Sequence, residues 1–316
     1  MSINNSACLH NNTDYYSNIF TVCIYSFISI VGLIFNFVAL AFFFSCTKSR
    51  SHTIVYMTNL AIADTLLILT LPVRIYYYLG FTDLPQGLCD GLGLVLKANM
   101  YGSIFLLTCI CLDRCIAVNF PMSLRVKEGR KKAPLVCLGI WMLTFGASLP
   151  IYFSKHRQDS SQNCFDNLPV YAIQPQVVLP TLLVGFGVPL VIMLVCSWGL
   201  GYAVQQSAAA QTNLVDSRKI QRMIASSLLI FMFSFLPYHA TLGVLSLYQG
   251  NITCSMKTAY QYSVMVASLN TVLDPMAYYF TTETFRSNVD LGVIQRMFPL
   301  NSHSSEMNIR SRANNS

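Results

Sequence analysis

The chain has 316 residues, of which 54% are hydrophobic and only 10% charged, with a formal net charge of +7 and a mean hydropathy of +0.50. A soluble domain carries about a quarter charged residues, so the deficit excludes an ordinary water-soluble globule and makes lipid part of the solvent. The positive balance is a topology signal, not a nucleic-acid footprint.

In chain order, the opening MSINNSACLHNNTDYYSN is polar and lacks a basic n-region. The first span, not a cleavable leader, is therefore expected to act as the insertion signal. Seven apolar blocks follow, at residues 18–46, 52–80, 87–118, 133–154, 174–204, 223–247 and 258–281. Each approaches or exceeds the roughly 20 residues that cross a bilayer as a helix. They predict an all-α membrane protein, a seven-transmembrane helix bundle over residues 18–286. An extracellular segment, 1–17, precedes it and a cytoplasmic tail, 287–316, follows. The sequence has neither low-complexity stretches nor the inverted repeats of many transporters, and no charged pathway crosses the bilayer.

With the N-terminus outside, fifteen of the twenty Lys and Arg residues fall on inner loops and the tail, a positive-inside bias. Asn4, Asn11 and Asn251 open N-x-S/T sequons, and all three fall on the outer side as glycosylation candidates. Of eleven cysteines, those in or beside spans read as small buried hydrophobes. Cys8, Cys89, Cys164 and Cys254 lie outside, where an oxidising compartment permits two disulfides in any of three pairings.

Polar groups inside the spans are costly and mark function. Span two carries Asp64 and, ten residues on, Arg74, in the stretch LPVRIYYYLG. That spacing places Arg74 roughly 15 Å nearer the outer surface. Span three carries Lys97, about two turns inside Cys89, and Ser103. Span seven carries Asn270 and Asp274. Asp64 and Asp274 with Ser103, Asn270 and the nearby Asn36 could coordinate a sodium ion through oxygens; the alternative is a hydrated network with protonated carboxyls. Pro72, Pro150, Pro189, Pro237 and Pro275 each remove an intrahelical bond and introduce hinges. His10, His52, His156, His239 and His303 form no catalytic or metal spacing, which argues against an enzyme.

GLIFN ending at Asn36, NLAIAD ending at Asp64, LDRC with Asp113 and Arg114, Trp141, Pro189, FLPY from Phe235 to Tyr238, and DPMAY from Asp274 to Tyr278 occur in order, one per span. Together they resemble the rhodopsin-like G-protein-coupled receptors. NMYGSIFLLTCICLDR, SFLPYH and LDPMAYYF are similar to the purinergic-like branch that includes the non-Edg lysophosphatidic acid receptors. SLPIYFSKH is similar to the lysophosphatidylinositol-responsive relative.

The resemblance implies a plasma-membrane receptor, not an enzyme, coupled to a heterotrimeric G protein through outward movement of the sixth span. It implies a short amphipathic helix after the seventh span, and the pairings Cys89–Cys164 and Cys8–Cys254. It assigns switch roles to Asp113, Arg114, Phe235, Pro237, Asp274, Pro275 and Tyr278, with Asp113 the resting partner of Arg114. The usual acid at the foot of span six is missing: LVDSRKIQR offers Asp216, with Ser217 where glutamate is common. A loose resting state with basal signalling is therefore expected. The tail lacks a cysteine for a palmitoyl anchor.

For the ligand, the outer set Arg74, Lys97, Lys155, Arg157 and Lys257 calls for an anion. Leu96 stands where amine receptors of this fold place an aspartate. A phosphate between Arg74 and Lys97 would gain charge-assisted bonds; the alternative is pairing with Asp83, Asp90 or Asp166 plus snorkelling. Nucleotide-binding relatives carry a basic residue three positions after the histidine of FxPYH, and here that place is Leu242. With Tyr78, Tyr101 and Tyr260 in an apolar upper bundle, and His239 as a further contact, an anionic lysophospholipid is the leading expectation. A nucleotide or other small anionic metabolite is the alternative. No cofactor is expected beyond the sodium ion; membrane lipids are partners and nucleic acid is not.

Overall fold

The computed structural model describes residues 12–45, 52–120, 128–155, 164–165, 168–169, 172–209, 214–248 and 252–281, with some side chains at helix ends left aside. Helix α1 is Asn12–Ser45, α2 is His52–Tyr78, α3 is Gln86–Asn119 and α4 is Ala133–Lys155. Helix α5 runs through Pro175–Pro180, a π-helical stretch Thr181–Gly187, and Val188–Ala209. Helix α6 is Leu214–Leu247, and α7 comprises Cys254–Ser268 and Asn270–Thr281, broken at Leu269. There are no strands among the described residues.

Among the described residues, five segments are long and apolar enough to cross a membrane: Tyr16–Phe44, His52–Tyr78, Gln86–Asn119, Pro175–Tyr202 and Ile220–Leu247. The described apolar part of α4, Ala133–Ser148, is shorter, and α7 is divided and more polar. Large apolar side chains face outward, among them Trp198, Met142 and Leu229. Such a surface needs lipid around it.

The predicted spans and the helices coincide closely at α2, α3 and α4. Helix α6 begins at Leu214 instead of residue 223, because hydropathy marks the edge of lipid whereas a helix continues through LVDSRKIQR into water. Helices α1 and α7 likewise start at Asn12 and Cys254, ahead of residues 18 and 258. The tail and the amphipathic helix expected in it lie outside the described residues.

Helix packing follows from the bilayer: small and polar groups turn inward, where they satisfy one another. Asn36 on α1 donates to the carbonyls of Gly32 at 2.9 Å and Thr271 at 2.7 Å, tying α1 to α7. Trp141 Nε1 donates to Asn59 Oδ1 at 2.9 Å, tying α4 to α2. Gly185 makes the π-helical part of α5 fit: a Cβ there would meet Tyr101 Cε1 at 3.0 Å. That stretch turns Phe186 inward, where it stacks on His239 at 4.4 Å and Phe231 at 5.2 Å.

Candidate functional site

The outer end is assembled around one disulfide. Cys89, at the top of α3, is bonded to Cys164, with their Cα atoms 5.3 Å apart. The next residue, Phe165, is thereby held over α2. Its ring covers the Arg74 guanidinium at 4.5 Å and meets Tyr77 edge-on at 5.0 Å. Arg74 is 5% exposed, and the charge of its guanidinium also acts on Tyr25 of α1. Its Nε has no hydrogen-bond partner among the described residues. The three tyrosines of LPVRIYYYLG go three ways. Tyr76 turns outward and stacks on Phe81 at 4.4 Å, Tyr77 is buried, and Tyr78 stacks with Tyr25 and Phe165.

A cavity of about 250 Å³ opens between α3, α4, α5 and α6. Lys97, Tyr101, Gln176, Thr181 and Tyr238 supply its polar wall; Ala147, Val177, Val178, Pro180 and Leu242 supply the apolar one. A smaller hollow beside it is lined by Leu96, Lys97, Met100, Tyr238, Tyr260, Val264 and Ala267. Lys97 walls both. Arg74 lines neither, being taken up by Phe165 and Tyr25.

Below the cavity, His239 is 2% exposed. Its Nδ1 donates to the Phe235 carbonyl at 2.7 Å, since a carbonyl can only accept. That leaves Nε2 facing the Tyr101 hydroxyl at 3.5 Å. His239 lines neither cavity; it stands behind Tyr101 and touches Phe186 and Tyr238. Phe235, fully buried, meets Phe231 edge-on at 5.7 Å. A chain of contacts thus descends from the cavity wall into α6, within a turn of Pro237.

At mid-depth, Asp64, Ser103, Asn270 and Asp274 are all fully buried. Asp64 Oδ1 accepts from Asn99 Nδ2 at 3.1 Å. Asp64 Oδ2, Ser103 Oγ, both Asp274 oxygens and both polar atoms of the Asn270 side chain have no hydrogen-bond partner among the described residues. Buried polar atoms left so are costly, and this set is rich in hard oxygen donors of the kind that suit a small cation. No group of three or more His, Cys, Asp or Glu that could hold a metal occurs among the described residues. The oxygen set would rely on two carboxylates with amide and hydroxyl help. Asn99, one turn above Ser103, is a member that the sequence reading missed; its i, i+4 spacing to Ser103 was the available signal.

At the inner end, Asp113 is 6% exposed. Arg130 Nε donates to its Oδ1 at 2.6 Å and Arg130 Nη2 to its Oδ2 at 3.0 Å. Thr53 Oγ1 on α2 also donates to Oδ2, at 2.5 Å. The carboxylate raises the Arg130 guanidinium further above its ordinary pKa, these hydrogen bonds being the largest cause. The neighbour Arg114 was expected to take Asp113. The hydrogen bonds to its carboxylate come instead from Arg130 and Thr53, because adjacent residues on a helix point in different directions, while the charge of Asp113 still acts on Arg114. The Nε of Arg114 is buried without a hydrogen-bond partner among the described residues.

The motif residues thus stand at three levels of one helical bundle, and residues 35–278 match the family model of the seven-transmembrane receptors of the rhodopsin family. The chain belongs to that family. The receptor is 33% identical to lysophosphatidic acid receptor 6 of Homo sapiens over 92% of its own length and 88% of the relative's. It is 30% identical to lysophosphatidic acid receptor 4 of Homo sapiens, covering 95% and 81%. With lysophosphatidic acid receptor 5 of Bos taurus it shares 33%, covering 84% and 77%. It is a multi-pass plasma-membrane receptor of a family that is not enzymatic.

Several expected residues of the receptor are not gathered at the cavity. Lys257 lies near the outer start of α7 and lines neither hollow, whereas Tyr260, one turn deeper, lines the smaller and packs on Tyr238 at 5.9 Å. Pro275 lies inside α7 beside Asp274. Cys254 is disulfide-bonded. Cys8, Asn4, Asn11, Asn251 and Arg157 lie outside the described residues, as do the side chains of Lys155, Asp216 and Tyr278. Gln176, Thr181 and Tyr238 were missed as wall residues; only the fold brings α5 and α6 against Lys97.

Proposed function

We propose that the receptor recognises an anionic lipid, a lysophospholipid, with Lys97 as the head-group cation. The observation that carries this reading is the position of Lys97 on the wall of both hollows, with Tyr101, Gln176 and Tyr238 beside it and apolar residues around. A phosphate there gains charge-assisted bonds from the ammonium and hydroxyl groups. The relatives, named as receptors for lysophosphatidic acid, favour the same class. Arg74 shapes the mouth through Phe165, while Lys155, Arg157 and Lys257 draw the anion inward. Tyr78 and Tyr260 border the site.

Transmission runs from Tyr101 to His239 and Phe186, then to Phe231 and Phe235 on α6. A displaced Tyr101 changes what these rings pack against, and Pro237 supplies the hinge for an outward swing of α6. The swing admits a heterotrimeric G protein to Arg114, with Tyr278 closing inward from α7. A sodium ion would be held by Asp64, Ser103, Asn270 and Asp274, where it would supply positive charge to two buried carboxylates.

The test is a lysophospholipid and nucleotide panel on cells expressing the full chain, read by G-protein dissociation. Lys97→Ala should weaken an active lysophospholipid by about tenfold or more, as loss of a hydrogen bond to a charged group does. Unchanged potency would remove Lys97 from the head-group site. A response to nucleotides alone would change the ligand class.

A further inference from the structure

The ion pair at the inner end joins residues from three places in the chain: Thr53 at the start of α2, Asp113 near the end of α3, and Arg130 in the segment before α4. Arg130 sits in a tight turn in which Lys132 N donates to the Gly129 carbonyl at 3.1 Å. Its neighbours Glu128, Lys131 and Lys132 are exposed, whereas Arg130 itself is half-buried. The turn points one arginine of a basic run inward and leaves the rest to water.

A guanidinium fork matches a carboxylate in two parallel bonds. With Thr53 added, Asp113 accepts three hydrogen bonds, which is what a nearly buried carboxylate needs to offset its desolvation. Little of its acceptor capacity remains for Arg114, whose Nε has no hydrogen-bond partner among the described residues. The two observations are complementary: one basic group forks onto the acid, and the other feels its charge with its Nε unbonded among the described residues.

We propose that Arg130 is a positioning residue for signalling, holding Asp113 away from Arg114 so that the Arg114 guanidinium stands ready for the G protein. Arg114 is the group that meets the partner; Arg130 acts through Asp113. The receptor therefore carries its basal activity in the loop between α3 and α4, in addition to any contribution from the foot of α6. This rests on the G-protein-coupling reading, and the experiment separates the two.

Basal G-protein dissociation is measured without ligand, at matched surface abundance, for wild type, Arg130→Gln, Arg130→Lys, Asp113→Asn and the double variant Asp113→Asn/Arg130→Gln. Wild type should signal above mock-transfected cells. Arg130→Gln should lower basal signalling roughly two- to fivefold, the range of a partly exposed ion pair, because Asp113 then turns to Arg114. Arg130→Lys, which keeps the charge, should retain most of it. Asp113→Asn should signal at least as strongly as wild type, and adding Arg130→Gln to it should change nothing. A merely structural role for Arg130 would lower both backgrounds alike. Basal signalling unaffected by Arg130→Gln, a drop that persists in the Asp113→Asn background, or a silent wild type beside an active Asp113→Asn would each overturn the proposal. Silence of wild type and Asp113→Asn together would overturn the coupling reading and this proposal with it.

Discussion

The two ends of the bundle each hold a guanidinium, buried at the outer end and half-buried at the inner one, and they compensate its charge differently. At the outer end Arg74 lies under the face of Phe165, a contact with an aromatic quadrupole. At the inner end Arg130 forks onto a carboxylate that also accepts from Thr53. The outer contact is soft and depends on a loop tethered by one disulfide. The inner one is directional and ties α2, α3 and the approach to α4 into one unit. A charge held by a ring can be uncovered by moving the ring, while a charge held by a fork is released only by breaking bonds.

The largest effect expected from testing this contrast is at the tether. The cysteines of the Cys89–Cys164 bridge are 75 residues apart in sequence, and chain-entropy arguments assign such a loop closure on the order of 4 kcal/mol. Cys164→Ser should sharply lower surface abundance and lipid response, and normal amounts of responsive receptor would show that Phe165 does not need its tether. Next is the inner end, where Thr53→Val removes one hydrogen bond to a charged acceptor. Thermal unfolding of purified receptor should show a loss of about 2 kcal/mol, and a shift within error would place the strength of the unit in the Arg130 fork alone.

At the outer end, Arg74→Ala and Phe165→Leu should couple by about 1 kcal/mol in a double-mutant cycle on thermal stability. Additive losses would mean that the ring and the guanidinium act apart. The smallest effect belongs to the relay between the ends. Gly185→Ala pushes a methyl against the Tyr101 ring and should lower maximal signalling with a stability cost near 1 kcal/mol. Unchanged maximal signalling would show that Tyr101 need not hold this position.

Legibility differed by the range of the interaction. Helix spans, Asp64 with Asp274, and the order of motifs were readable because bilayer length and local spacing constrain the chain residue by residue. Lys97 was readable as a candidate cation because a lysine two turns inside the membrane needs a reason. The placement of Arg74 was half-readable: its depth followed from helical rise, but the ring that covers it belongs to Phe165, far along the chain in the second outer loop. Arg130 was readable only as one charge in the run GRKK, since a run of charges ordinarily serves topology.

By itself the sequence determined that this chain is a seven-span helical receptor with costly polar groups at set depths. The bilayer makes those features nearly independent of partners, through hydrophobic length and the cost of unpaired charge. Tertiary structure decided which cation faces the cavity, which arginine forks onto Asp113, and how the π-helical part of α5 brings Phe186 against His239. Those choices depend on contacts between residues far apart in the chain, where a single turn or bulge redirects a side chain that no local pattern reveals.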